Sequence, residues 1–240
     1  MCRGMIWVFN RIGVGPAMNN LASRPLAVLF DMDGTLVSTE EEGFRIMGEV
    51  LRDFGFEMGH DFYDLFCGRS ELDFLAEVGR RLQVADMDPV REAFYERYFP
   101  YLATVEPLPG AVGCLSRFAA EFPVAIVSGS TRAQIQAIVQ GLGVAGQIGV
   151  RIGCDDLETP GKPHPGGYLQ AARSLGVSPE HCLVVEDSRP GVEAGLAAGM
   201  RVAGVRLGTA GTQNLAGAHL VLDTLDELTV ALARALFSEL

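Results

Sequence analysis

Positive charge is scarce in this sequence. The 240 residues carry 19 basic and 30 acidic side chains, a formal net charge of −11, and the basic residues form no run. Such a chain is a poor match for the nucleic-acid backbone or for an anionic membrane surface. We therefore expect neither nucleic acid nor membrane as a partner. Lysine is the rarest charged residue, because all but one of the basic side chains are arginines and Lys162 is the single lysine.

Long apolar runs and paired metal-binding residues are missing as well. The longest apolar runs, at 5–9 and 26–30, are far shorter than a membrane span. The five cysteines and four histidines are scattered, which argues against a disulfide framework and against a histidine-based metal site. Reduced cysteines are typical of the cytoplasm, where we place the protein.

Short apolar segments define the expected fold class. Apolar runs that stop at polar or glycine residues occur at 26–30, 124–127, 148–152, 182–185, 202–205 and 219–222. Runs of this kind are typical of buried parallel strands. Apolar residues with helical spacing lie between them, at 135–142, 168–175 and 190–199. The alternation predicts a doubly wound, Rossmann-like α/β core with a mainly parallel sheet.

The segment after the first strand follows a different pattern. Its apolar residues have helical spacing throughout, as at 44–54, 72–82 and 94–102, and it contains no short strand-like run. We therefore predict a helical cap domain at 39–103, inserted into a core formed by 25–38 and 104–240. Residues 1–24 are interpreted as an N-terminal extension outside both domains.

Reactive side chains follow the predicted strands. In order along the chain they are Asp31, Asp33, Ser128, Gly129, Lys162, Glu186 and Asp187. In open α/β sheets, ligands bind outside the carboxyl ends of the strands, so these residues should meet at one edge. Four carboxylates that lie so close require a cation, and oxygen ligands of this type suit Mg²⁺.

The remaining groups of this set suit a phosphate. The Ser128 hydroxyl and the free amides of the helix that follows would face a phosphoryl oxygen, and Lys162 would add a positive charge. The whole set predicts phosphoryl transfer with a carboxylate nucleophile.

Four motifs in this order resemble those of the haloacid dehalogenase superfamily of phosphohydrolases. They are Asp-Met-Asp-Gly-Thr-Leu-Val at 31–37, Ser-Gly-Ser at 128–130, Gly-Lys-Pro-His-Pro at 161–165 and Val-Glu-Asp-Ser at 185–188. The resemblance covers residues 25 to 235. The insert at 39–103 is placed like the small cap of the β-phosphoglucomutase and phosphoglycolate phosphatase branch.

This resemblance implies how catalysis would proceed. Asp31 would be the nucleophile that forms an aspartyl-phosphate. Asp33 would protonate the leaving oxygen and then deprotonate the attacking water. Ser128, the Gly129 amide and Lys162 would hold the phosphoryl oxygens.

The resemblance also implies a metal site and further substrate contacts. Mg²⁺ would be bound by Asp31, the carbonyl of Asp33 and Asp187, with Glu186 either ligating or orienting. Thr35 is assigned to substrate binding on the same grounds. Arg69 lies where related caps contact the substrate, although a surface arginine at a helix start is an equally good interpretation.

Three functions stay open from the sequence. The first is a monomeric, Mg²⁺-dependent phosphatase acting on a small phosphate monoester, such as a sugar or sugar-acid phosphate. The second is a β-phosphoglucomutase-like phosphosugar mutase, which uses the same residues but returns the phosphoryl group to a sugar. The third is a non-catalytic protein that binds a phosphorylated ligand, and the intact motifs argue against it.

Overall fold

The computed structural model describes residues 26–59, 62–63, 71–207 and 214–238 of the chain. Six strands form one sheet, and each runs parallel to its neighbours in the order β3-β2-β1-β4-β5-β6. They are β1 (Ala27–Phe30), β2 (Val124–Val127), β3 (Val150–Ile152), β4 (Cys182–Glu186), β5 (Arg201–Val205) and β6 (Leu220–Leu222). The prediction of a mainly parallel α/β sheet is confirmed.

Helices lie between or after these strands along the chain. They are α1 (Glu40–Asp53), α2 (Glu71–Leu82), α3 (Asp88–Leu102), α4 (Ala111–Ala119), α5 (Arg132–Gly141), α6 (Gly166–Leu175), α7 (Arg189–Ala197) and α8 (Val230–Ala235). No helix in these ranges is both long and apolar enough to cross a bilayer.

The central strand β1 shows why the core is double-sided. Its side chains are completely buried, and they alternate between two apolar clusters. Val28 and Phe30 pack on the side that carries α4 and α5, where Phe30 meets the edge of Phe118 with the ring centroids 6.4 Å apart. Ala27 and Leu29 pack on the side of α6 and α7. Because successive side chains of a strand point to opposite faces, a strand buried on both faces has to be apolar throughout.

The described part of the inserted cap contains α1, α2 and α3, which lie between β1 and the returning chain. α1 packs against α3, and an ion pair of 2.5 Å joins Asp53 to Arg97 between them. The two linkers of the cap lie side by side, because Val37 bridges to Pro107 and Leu108 N–H donates to the Leu36 carbonyl at 2.8 Å. The predicted helical cap is therefore present, while its boundaries at 39 and 103 stay a prediction.

Two helices were missing from the sequence prediction. α4 has apolar residues at 111, 114, 115 and 118, the spacing of a half-buried helix, and this signal was available. α8 has only six residues, too few for a periodic pattern to be recognised.

Candidate active site

The carboxyl ends of β1, β2 and β4 meet at one edge of the sheet. Backbone hydrogen bonds fix these ends against neighbouring strands. Asp31 N–H donates to the Val185 carbonyl of β4 at 2.9 Å, and Ser128 N–H donates to the Ile152 carbonyl of β3 at 3.0 Å. A cavity of about 700 Å³ opens at this edge, between the core and the cap. Its wall includes the predicted residues Asp31, Asp33, Ser128, Gly129, Lys162 and Asp187.

Asp31 has one carboxylate oxygen that is held by the protein and one that is not. Its Oδ1 accepts a hydrogen bond of 2.5 Å from Lys162 Nζ, whereas its buried Oδ2 accepts none from any described residue. Burial raises the pKa of Asp31 well above its ordinary value, although the charge of Lys162 opposes this effect. One oxygen is thus fixed by a lysine, and the other is left for a cation or for an electrophile.

Lys162 lies between two buried carboxylates. Its Nζ is 2.5 Å from Asp31 and 2.6 Å from Oε1 of Glu186, and 5.2 Å from the ring centroid of Tyr168. Burial alone would lower the pKa of Lys162, but the two carboxylates outweigh it and hold that pKa well above its ordinary value. The lysine therefore stays charged and holds the Asp31 carboxylate in place.

Glu186 has both carboxylate oxygens engaged by the protein. Besides Lys162, its Oε1 accepts a bond of 3.1 Å from the Tyr168 hydroxyl, and burial keeps the pKa of Tyr168 high and this donor protonated. Its Oε2 accepts from the N–H and the hydroxyl of Ser188 at 2.9 and 2.8 Å. Gly191 leaves room for this carboxylate, since a Cβ there would lie 1.6 Å from Oε1. These contacts favour an orienting role over ligation.

Asp187 completes a cluster of three carboxylates. Each of Asp31, Glu186 and Asp187 offers an oxygen, and the three oxygens lie within 4.8 Å of one another. Burial and the charge of Glu186 raise the pKa of Asp187 to about 7. The unpartnered Oδ2 of Asp31 and the carboxylate of Asp187 fit a hard divalent cation, which would supply the positive charge that one lysine cannot.

Thr35 and Gly34 shape the position of Asp187. The Thr35 hydroxyl donates to Oδ1 of Asp187 at 3.3 Å, and Thr35 is completely buried and does not line the cavity. The assignment of Thr35 to substrate binding is therefore corrected, because this hydroxyl orients a carboxylate instead. Gly34 has a φ of +92°, and a Cβ there would lie 2.2 Å from Oδ2 of Asp187.

Asp33 lies apart from this cluster and is held by hydroxyl groups. Its Oδ2 accepts from Ser130 at 2.9 Å and from Ser128 at 3.2 Å, and its Oδ1 accepts from Thr39. The side chain thus faces the cavity, and only its carbonyl was predicted to bind metal. That carbonyl contact stays a prediction.

The N-terminus of α5 differs from the expectation of free amides. Thr131 is the N-cap and forms a capping box with Gln134, which uses the N–H groups of both residues. The next amide, that of Arg132, donates to Asp155 at 2.7 Å. The amides of Thr131, Arg132 and Gln134 are therefore bonded to protein groups rather than free, and the Gly129 amide in the preceding loop remains the predicted phosphate contact.

Residues that were not predicted for the site also line the cavity. On the cap side the lining includes Glu40, Asp73, Phe74, Phe94 and Tyr98. Tyr98 is only 6% exposed and also borders the cavity. Arg69, the predicted cap contact, lies outside the described residues.

The sequence also matches a known protein family. A model of the haloacid dehalogenase-like hydrolases matches residues 25–199. The chain belongs to the haloacid dehalogenase-like hydrolase family. The resemblance stated from the motifs is thereby confirmed, as is the expectation of a hydrolytic enzyme of this family.

Relatives within this family cover most of the chain. The fructose-1-phosphate phosphatase of Escherichia coli is 31% identical over 188 residues, or 77% of this chain and 98% of that protein. The crystal structure of CbbY from Rhodobacter sphaeroides in complex with phosphate has a TM-score of 0.76 at 26% identity, and the match covers 86% of this chain and 98% of that one.

Two relatives from Arabidopsis thaliana are longer. Protein SUPPRESSOR OF QUENCHING 1 is 33% identical over 186 residues, which are 75% of this chain but only 18% of the plant protein. The chain likewise spans half the length of the bifunctional riboflavin kinase/FMN phosphatase.

Proposed function

We propose that this haloacid dehalogenase-like hydrolase is a phosphatase that releases phosphate from a small sugar phosphate. The observation that carries the proposal is the Asp31 carboxylate, which has one oxygen on Lys162 and a buried, unpartnered oxygen at a cavity of about 700 Å³. A hydroxyl or amide side chain at this position, with its oxygen already hydrogen-bonded, would be a poorer nucleophile than this carboxylate.

Phosphoryl transfer begins at Asp31. One of its oxygens attacks phosphorus, and the bond to the sugar oxygen breaks with its electron pair on that oxygen. Lys162, the Ser128 hydroxyl and the Gly129 amide neutralise charge on the other phosphoryl oxygens. Asp33 enters this step as the neutral acid, and its proton passes to the sugar oxygen, which completes the first half-reaction.

Water completes the cycle. Asp33, now ionised, removes a proton from a water molecule that attacks the phosphorus of the aspartyl-phosphate. The bond between phosphorus and Asp31 breaks, and inorganic phosphate and the free carboxylate result. Asp33 is protonated again and is ready for the next leaving group.

A divalent cation belongs to this proposal, with Mg²⁺ as the candidate. Asp31 and Asp187 would hold it, and Glu186 would orient Lys162 and the cluster. When bound, the cation supplies positive charge to the phosphoryl group and to the nucleophile. Oxygen-only ligands favour Mg²⁺ over softer metals.

The substrate class is supported by the relatives and by the cavity. The Escherichia coli relative is named for fructose 1-phosphate, and the related CbbY structure holds a phosphate. On the cap side, the aromatic side chains Phe74, Phe94 and Tyr98 border the cavity together with the carboxylates Glu40 and Asp73. A neutral sugar ring attached to phosphate has the matching combination of apolar and charged ends.

A phosphate-release screen tests the function. Sugar phosphates, sugar-acid phosphates and nucleoside monophosphates are supplied with Mg²⁺, and with EDTA as the control. Turnover of a sugar phosphate is expected, and Asp31→Asn should abolish it. An Asp31→Asn variant that retained most of the activity would contradict the mechanism.

Further measurements address the remaining predictions. With β-glucose 1-phosphate, a phosphatase releases phosphate, whereas the alternative mutase yields glucose 6-phosphate. Size-exclusion chromatography with light scattering tests the predicted monomer, and cell fractionation tests the predicted cytoplasmic location.

A further inference from the structure

The two serine hydroxyls that contact Asp33 differ in the length of their hydrogen bonds to it and in their further roles. Ser130 Oγ donates to Oδ2 of Asp33 at 2.9 Å, and Ser128 Oγ donates to the same oxygen at 3.2 Å. The Ser130 bond has the shorter and stronger geometry. Both serines belong to the loop that follows β2, so one short loop supplies both donors to Oδ2 of the acid–base residue.

Ser128 cannot hold Asp33 and bind phosphate at once. A hydroxyl has one proton to donate, and the single proton of Ser128 points to Asp33 while its oxygen accepts from Ser130 N–H at 3.0 Å. If a phosphoryl oxygen is to be bound by Ser128, that proton has to turn away from Asp33. The Oδ2 of Asp33 then keeps only one of its two serine donors.

We propose that Ser130 is a positioning residue for the acid–base step: its hydroxyl holds Asp33 in place when the Ser128 hydroxyl turns to the bound phosphoryl group. The backbone N–H of Ser130 also fixes the oxygen of Ser128, so one residue orients both partners. This inference rests on the proposed phosphatase function. It assigns Ser130 no contact with the reacting atoms.

The role of Ser130 predicts a dependence on the leaving group. A sugar alkoxide needs the proton of Asp33 as the P–O bond breaks, whereas 4-nitrophenolate leaves as a stable anion. The value of kcat/KM reports the steps up to release of the leaving group, which include protonation by Asp33 but exclude its later action on water. Misplacing Asp33 should therefore lower kcat/KM for a sugar phosphate far more than for the aryl phosphate.

The experiment compares fructose 1-phosphate with 4-nitrophenyl phosphate for variants of the full chain. Ser130→Ala should lower kcat/KM for fructose 1-phosphate roughly tenfold, the upper end of the range for a lost hydrogen bond to a neutral group. The loss with 4-nitrophenyl phosphate should be less than about threefold. Ser130→Thr keeps a hydroxyl and should restore most of the sugar phosphate activity.

Two control variants give the kinetic patterns expected for a lost acid–base residue and for a lost phosphate contact. Asp33→Asn should show the same selective loss as Ser130→Ala, whereas Ser128→Ala should lower kcat/KM for both substrates alike, because it removes a phosphate contact. Circular dichroism and thermal unfolding confirm that each variant is folded. Mg²⁺ is kept saturating throughout.

The possible results separate this inference from the proposed function. An equal loss on both substrates, or no loss at all, would overturn the role of Ser130 while leaving the phosphatase intact. Failure of the proposed function would show instead as full activity of Asp31→Asn or as no turnover by the unmodified protein. A selective loss in Ser130→Ala that Ser130→Thr reverses supports the inference.

Discussion

The hydroxyl of Thr39 donates a hydrogen bond to Oδ1 of Asp33, and so links the N-cap residue of α1 to the loop after β1. Thr39 is the N-cap of α1, yet its side chain makes no capping bond to that helix. Threonine at this position normally accepts from a helix amide. Here the side chain stabilises the acid–base residue instead, which ties Asp33 to the start of the cap.

Replacement of Thr39 should therefore affect turnover more than stability. Thr39→Val keeps the shape but removes the donor, and we expect kcat for a sugar phosphate to fall about tenfold. Thr39→Ser should retain most of it. Thr131→Val is the matched control, because Thr131 caps α5: it should lower the melting temperature and leave kcat near its original value. Steady-state kinetics and thermal unfolding measure both effects, and a Thr39→Val enzyme with unchanged kcat would refute the link.

Lys162 should contribute to folding as well as to catalysis. Lys162→Met leaves Asp31 and Glu186 buried side by side without their shared cation, a change that typically costs about 3–5 kcal/mol. We expect urea unfolding in EDTA to show a loss of this size, and Mg²⁺ to recover part of it. Arg80→Met removes an exposed ion pair to Glu77, and we expect it to have little effect. Equal stability of Lys162→Met and the unmodified protein would contradict the proposed charge balance.

Most of the site was predictable because its residues follow strands that lie next to each other in the sheet. In a parallel sheet the carboxyl ends share an edge, so Asp31, Ser128 and Asp187 had to meet once the strands were recognised. Ser130 and Thr39 were not predicted as site residues, because their role comes from the hydrogen bond that each donates to Asp33. Residues 97 and 6 positions away from it along the chain have no shared sequence signal.

The N-terminus of α5 shows the limit of reasoning from local sequence. Ser-Gly-Ser-Thr contains three hydroxyl residues that could cap the helix, and the choice among them depends on the chain direction after β2. Thr131 takes the N-cap position, and Asp155 reaches the following amide from the turn after β3. Capping by Thr131 leaves Ser128 and Ser130 to bond Asp33.

Cation binding should depend on pH through Asp187. Its pKa lies near 7, raised by burial and by Glu186, so a proton and Mg²⁺ compete for the same carboxylate. The dissociation constant for Mg²⁺ should rise as the pH falls below 7, because burial raises the pKa of both Asp31 and Asp187, and it should level off once both carboxylates are ionised. Isothermal titration calorimetry between pH 5.5 and about 8.5 measures this change. Asp187→Asn should bind weakly with a flatter profile, and a pH-independent affinity of the unmodified protein would exclude Asp187 as a ligand with this pKa.

Gly34 should be required both by its backbone angle and by the space it leaves. Gly55 provides the matched control, because its φ is +84° but nothing lies within 4 Å of a Cβ there, whereas at Gly34 a Cβ would lie 2.2 Å from Oδ2 of Asp187. Gly55→Ala should therefore cost only the left-handed backbone penalty of about 1–2 kcal/mol. Gly34→Ala should cost more and should also weaken Mg²⁺ binding by displacing Asp187, measured by urea unfolding and calorimetry. If the two variants lost equal stability and Gly34→Ala still bound Mg²⁺ normally, the close approach of Gly34 to Asp187 would have no role in the site.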